Sequence, residues 1–120
     1  MTTFAGITLP PNPQASVEIS RCVDALAKDP KVVEIWVFGS CAHGTPGPDS
    51  DVDLLVVREE DAQSRRMGLN TARQISSLKL SVPIEAVVVS KETLRERLSN
   101  PFGIYRDLAD YGKRIYAQAA

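Results

Sequence analysis

The stretch that decides the fold is Trp36-Val37-Phe38-Gly39-Ser40 followed, after ten intervening residues, by Asp51-Val52-Asp53-Leu54-Leu55-Val56-Val57. Two apolar, β-branched runs each meet a polar turn, the first at its end and the second at its start. Side chains alternate between faces of a strand, so Asp51 and Asp53 point the same way. Two carboxylates on one face repel, and a divalent cation with oxygen ligands, magnesium above all, is their natural partner. Gly39 lets backbone approach a phosphate without a Cβ, and Ser40 adds a hydroxyl donor. The stretch therefore reads as a metal-and-phosphate site at the lip of a buried sheet, where open α/β sheets bind ligands.

Each residue also has a plainer reading. Gly39-Ser40 alone fits an ordinary turn into a helix with Ser40 as its cap. Asp51 and Asp53 alone fit a charged strand edge that blocks aggregation. The combination at this spacing favours the site. Phosphoryl and nucleotidyl transfer shares metal ligands among several acids, and Glu85, in the apolar run Val82 to Val89, is the candidate third. An ionised acid in so apolar a strand is expected to need a partner, either a metal or a lysine such as Lys79. His43, the only histidine, reads equally as a phosphate or nucleobase contact and as an idle loop residue. Cys41 reads as a small filler, since no base stands near it in sequence.

Working outward, residues 14–28 carry Val17, Ile19, Cys22, Val23, Leu26 and Ala27 at helical spacing, ended by Asp29-Pro30. Residues 32–38 and 51–57 are the two strands, and residues 40–43 start a short helix. A helix over 61–80 has Met67, Ala72, Ile75 and Leu78 as inward residues, and a third strand covers 82–89. Ser90 caps a helix anchored by Leu94 and Leu98. A last segment, 102–116, is helical through Tyr111, broken at Gly112, with a short extension beyond. Tyr105, Tyr111 and Tyr116 are assigned to packing, and Arg95, Arg97 and Arg106 to solvated helix faces. Residues 1–13, with Pro10, Pro11 and Pro13, read as an N-terminal arm. The order α-β-α-β-α-β-α predicts a small α/β domain, helices packed on one sheet.

Composition sets the frame. With 120 residues the chain holds one core. A net charge of −1 provides no global field for a long nucleic acid. Two cysteines without zinc or redox spacing read as reduced thiols, and no apolar run nears the ~20 residues of a membrane span. No signal sequence is visible, so the expectation is a cytoplasmic protein. Neither the P-loop nor the dinucleotide glycine motif is present.

Gly39-Ser40 and Asp51-Val52-Asp53 at this spacing, with the third acidic strand and the closing run Tyr111-Gly112-Lys113-Arg114-Ile115-Tyr116, resemble the DNA-polymerase-β-like nucleotidyltransferase superfamily. The branch they most resemble is the minimal nucleotidyltransferases typified by MntA-like antitoxins. The resemblance implies a palm-like fold with a small mixed sheet over residues 14–120. It implies ATP as substrate with Mg2+, Gly39, Ser40, Ser50 and His43 at the nucleotide, and Asp51, Asp53 and Glu85 as metal-binding and catalytic acids. It also implies AMP transfer to a tyrosine of a HEPN-type partner toxin. Two alternatives stay open: a degenerate domain that neutralises a partner by contact, and a transferase acting on a small molecule. Two departures bear on competence. Cys41 and His43 stand where the branch commonly has arginines, and Glu85 replaces an aspartate.

Overall fold

In the computed structural model the described residues are 3–4, 7–47, 50–59 and 64–118. A two-stranded antiparallel ribbon, β1 (Thr3–Phe4) and β2 (Ile7–Thr8), precedes helix α1 (Ala15–Ala27). Strand β3 (Val32–Phe38) then runs into the single-turn helix α2 (Ser40–His43), and β4 (Val52–Arg58) leads to α3 (Ser64–Ser77). Strand β5 (Ile84–Ser90), helices α4 (Lys91–Ser99) and α5 (Ile104–Tyr111), and strand β6 (Lys113–Ala117) complete the chain. The expected α-β-α-β-α-β-α order is contained in this list and extended at both ends. The helix expected from residue 61 is described only from Ser64, because 60–63 lie outside the described residues.

One mixed sheet, in the order β5-β4-β3-β6, organises the molecule. Strands β3 and β4 are antiparallel, with Val37 opposite Leu54 and Phe38 opposite Asp53. Strand β5 lies parallel to β4, reached through α3 as parallel pairing requires a crossover. The short extension expected after Gly112 is in fact β6, antiparallel to β3 and joined to it by an Arg114–Glu34 ion pair of 3.0 Å. Only five residues long and interrupted by an irregularity opposite Ile35–Trp36, β6 carries little periodic signal of its own.

Strand alternation divides the core between the two faces of the sheet. Ile35, Val37, Leu54 and Val56 pack with Ile19 and Leu26 of α1 and Ile75 of α3. Phe38, Leu55, Val57 and Val89 pack with Leu94 of α4 and Leu108 of α5. Ile7 and Leu9 are fully buried in the first cluster, so part of the N-terminal arm is core. Two inward assignments are corrected. Val17 is 57 % exposed, and on α3 Thr71 is buried while Ala72 faces solvent. The four-residue offset to Ile75 puts Thr71 one turn before it on the same face, the core side. Ser90 caps α4 as expected, its Oγ accepting from the Thr93 N–H at 3.0 Å.

Candidate active site

The site forms where β3 ends and β4 begins. Phe38 opposes Asp53 across the antiparallel pair, so the turn after β3 lies beside the first residues of β4. Gly39 takes φ 74°, ψ −156°, a region open to glycine and costly for other residues. A Cβ at Gly39 would also run into the Asp53 carboxylate, so the missing side chain is what lets that acid lie against the turn. The Gly39 carbonyl accepts from the N–H groups of Ala42 and His43, both at 3.0 Å, closing α2. Gly44 in the left-handed region ends it. Gly39 and Ser40 are half-buried and Cys41 is fully buried.

Asp53 lies on the α4–α5 face of the sheet together with Leu55 and Val57, as strand alternation dictates. Glu85 is its in-register neighbour on the parallel strand β5, and so shares that face. Burial pushes the Asp53 carboxyl above its ordinary value, and the charges of Glu85, Asp51 and Asp107 push it further. Among the described residues the neighbouring charges that act on it are all acidic. Burial also lifts the Cys41 thiol, with the Asp53 charge adding, to about 11, which keeps it protonated and unreactive. The filler reading of Cys41 fits this.

Glu85 differs from expectation in one respect. It is solvent-exposed, because β5 is the edge strand of the sheet. No ion pair with Lys79 forms among the described residues. An open cavity of about 550 Å³ adjoins it, bounded by Lys79, Ile75, Ile84 and Val87. Ser50 is half-buried, and its Oγ accepts from the Gly47 N–H at 2.7 Å, bracing the loop before β4.

Asp107 was not visible as a site residue in the sequence. One carboxylate oxygen accepts from the Gly39 N–H at 2.7 Å, and the other meets His43 Nε2. His43 also packs on Tyr111, ring centroids 4.2 Å apart. His43 is therefore a structured partner of α5, where the sequence left it between ligand contact and idle loop. The sequence placed α5 correctly, but nothing local couples residue 107 to residue 39. Only the return of α5 over the end of β3 brings them together.

Oxygen donors dominate the cluster, as suits a hard cation such as magnesium. Among the described residues no three His, Cys, Asp or Glu side chains close a metal shell by themselves. The open arrangement suits an ion that keeps waters and takes its remaining ligands from substrate phosphates. Asp51 and Asp53 would hold it, with Glu85 on the adjoining strand.

A family model for the nucleotidyltransferase domain matches residues 19–115. No curated protein matches the chain. Among solved structures, a toxin–antitoxin complex with AMP-PNP superposes with a TM-score of 0.55 at 21 % identity, covering 82 % of this chain and 73 % of that one. The MntA–HepT toxin–antitoxin gives 0.53 at 16 % identity, over 85 % and 72 %. A tri-AMPylated Shewanella oneidensis HEPN toxin in complex with MNT antitoxin gives 0.53 at 14 % identity, over 85 % and 71 %. At these identities the likeness is one of fold.

Proposed function

The chain belongs to the nucleotidyltransferase domain family, and from that premise we propose that it transfers AMP from ATP to a tyrosine hydroxyl of a HEPN-type partner toxin, acting as the antitoxin. The observation that carries the transfer reading is the Asp53 carboxylate, wedged against Gly39 and repelled by the charges of Glu85, Asp51 and Asp107. Such a cluster costs stability unless a metal–nucleotide complex completes it. The choice of acceptor rests on the structural neighbours, which are toxin–antitoxin complexes, one with a tri-AMPylated HEPN toxin.

In this mechanism Gly39 and Ser40 would receive the phosphates, and Asp51 and Asp53 would hold the magnesium that accompanies them. Magnesium supplies charge neutralisation on the triphosphate and the leaving pyrophosphate. The acceptor oxygen attacks the α-phosphorus in line, forming a phosphoester bond as the bond to the β-phosphate oxygen breaks. Glu85 takes the hydroxyl proton, and pyrophosphate departs with the electron pair of the broken bond. The exposure of Glu85 supports access for an acceptor brought by another protein.

The test is label transfer from ATP labelled at the α-phosphate to a co-expressed partner. Asp53→Ala abolishes transfer on this reading, and transfer that survives it overturns the assignment.

A second reading is a degenerate domain that restrains its partner by contact. The one specific observation in its favour is that His43, standing where the resembled branch has an arginine, is already engaged by Asp107. Inhibition of the partner that persists in the double variant Asp51→Ala, Asp53→Ala would favour it.

A further inference from the structure

Helix α2 is one turn long, too short to hold itself together. Its first peptide and its last side chain are both gripped from outside, by the same residue. Asp107 accepts the Gly39 N–H with one oxygen and engages His43 with the other, so a single carboxylate spans the turn from end to end. Tyr111, one helical turn further along α5, closes over the His43 ring. Leu108, between them in sequence, is buried on the sheet and fixes the height of α5 above β3.

We propose that Asp107 is a positioning residue for the nucleotide, a clamp through which α5 sets the Gly39-Ser40 turn and His43 in the arrangement that receives the phosphates. This rests on the nucleotide-binding reading of the site. The physical argument is one of preorganisation. Gly39 has the widest conformational freedom of any residue, and a turn built on it is ordered only if its N–H is pinned. With the clamp removed, that ordering must be made up when nucleotide binds, and affinity falls accordingly.

The chemistry of the clamp separates it from a metal ligand or a general base. An asparagine keeps an acceptor for the Gly39 N–H and a second polar group for His43, and loses only the charge. The experiment is titration calorimetry of AMP-PNP with MgCl2 against wild type, Asp107→Ala, Asp107→Asn and Asp53→Ala, with melting temperatures measured alongside. Asp107→Ala should weaken binding about tenfold, the loss of a hydrogen bond to a charged group. Asp107→Asn should stay within about threefold of wild type. Equal affinity of Asp107→Ala and wild type overturns the inference. So does an Asp107→Asn variant as weak as Asp107→Ala, which would mean that the charge itself is needed. Wild type that binds no AMP-PNP removes the nucleotide-binding reading itself, a result distinct from either. Should Asp107→Ala not fold, His43→Ala, on an exposed side chain, takes its place: it too must weaken binding, and unchanged affinity overturns the clamp.

Discussion

At the scale of single residues, Asp53 and Gly39 form one device. The carboxyl of Asp53 is raised first by burial and then by Glu85, Asp51 and Asp107, so its ionised form is disfavoured in the folded protein relative to the unfolded chain. The folded state therefore binds more protons through the window between the ordinary aspartate value and the raised one. Stability falls as pH rises through that window and stays lower above it. Asp53→Asn removes the penalty. Its melting temperature should exceed that of wild type at neutral pH, and the two should converge in acid below the ordinary aspartate range. MgCl2 with AMP-PNP should narrow the gap by stabilising wild type alone. A variant that melts lower at neutral pH would show that Asp53 serves packing and not the site. Gly39→Ala acts in the opposite sense. It combines a left-handed backbone with a collision against Asp53, and should cost more than the ~1–2 kcal/mol of the backbone alone. Thermal melting against wild type checks this.

At the scale of elements, the helix-to-strand joints carry the polar bonds that hold layers together. Glu18 of α1 is nearly buried and accepts from the Val82 N–H and the Ser81 Oγ, each at 2.8 Å, just before β5. Burial alone would raise its carboxyl, but the bonds from Val82 and Ser81 and the Arg21 charge outweigh it and hold it below the usual range. Its contribution is thus present above the ordinary glutamate value and lost as pH falls through the lowered one. Glu18→Ala leaves the Val82 N–H without its partner, and should cost about 1–3 kcal/mol by denaturant unfolding. Glu18→Gln should flatten the acid limb of the stability profile. An unchanged acid limb would remove Glu18 from that account. The same scale shows what was legible beforehand. Strands β3 and β4 stand in the sequence almost residue for residue, because β-branched runs bounded by glycine, serine and aspartate have few other readings. Strand β6 was not legible, since Lys113-Arg114-Ile115-Tyr116 becomes a strand only by pairing with β3. Asp107 was hidden for the same reason: its partners Gly39 and His43 are 68 and 64 residues away. Glu85 was placed in the correct strand, but its exposure depends on β5 being the sheet edge, which is a fact of topology.

At the scale of the whole molecule, the site depends on parts that carry no chemistry. Ile7 and Leu9 precede α1, in a proline-bearing arm whose sequence leaves packed and loose readings open, and both are buried with Cys41 and Val52 in the core beside the Gly39-Ser40 turn. Strand β2 packs on α2, and Thr8 Oγ1 lies within 4 Å of where a Gly44 Cβ would stand. Beneath α2 there is thus a floor made by the first residues of the chain, and above it the α5 side chains Asp107 and Tyr111. Leu9→Ala empties a fully buried position and should cost about 2–5 kcal/mol. For a domain of this size that corresponds to a melting temperature lower by roughly 8–20 °C. Binding of AMP-PNP should weaken in Leu9→Ala even where the protein is still fully folded, because the floor of α2 relaxes into the cavity. Ile19→Ala, on α1 and equally buried, is the control. It should lower the melting temperature by a similar amount while leaving nucleotide affinity near wild type. If both variants lose affinity in proportion to stability, the turn responds to global loosening; if Leu9→Ala alone does, the N-terminal segment is a structural part of the site.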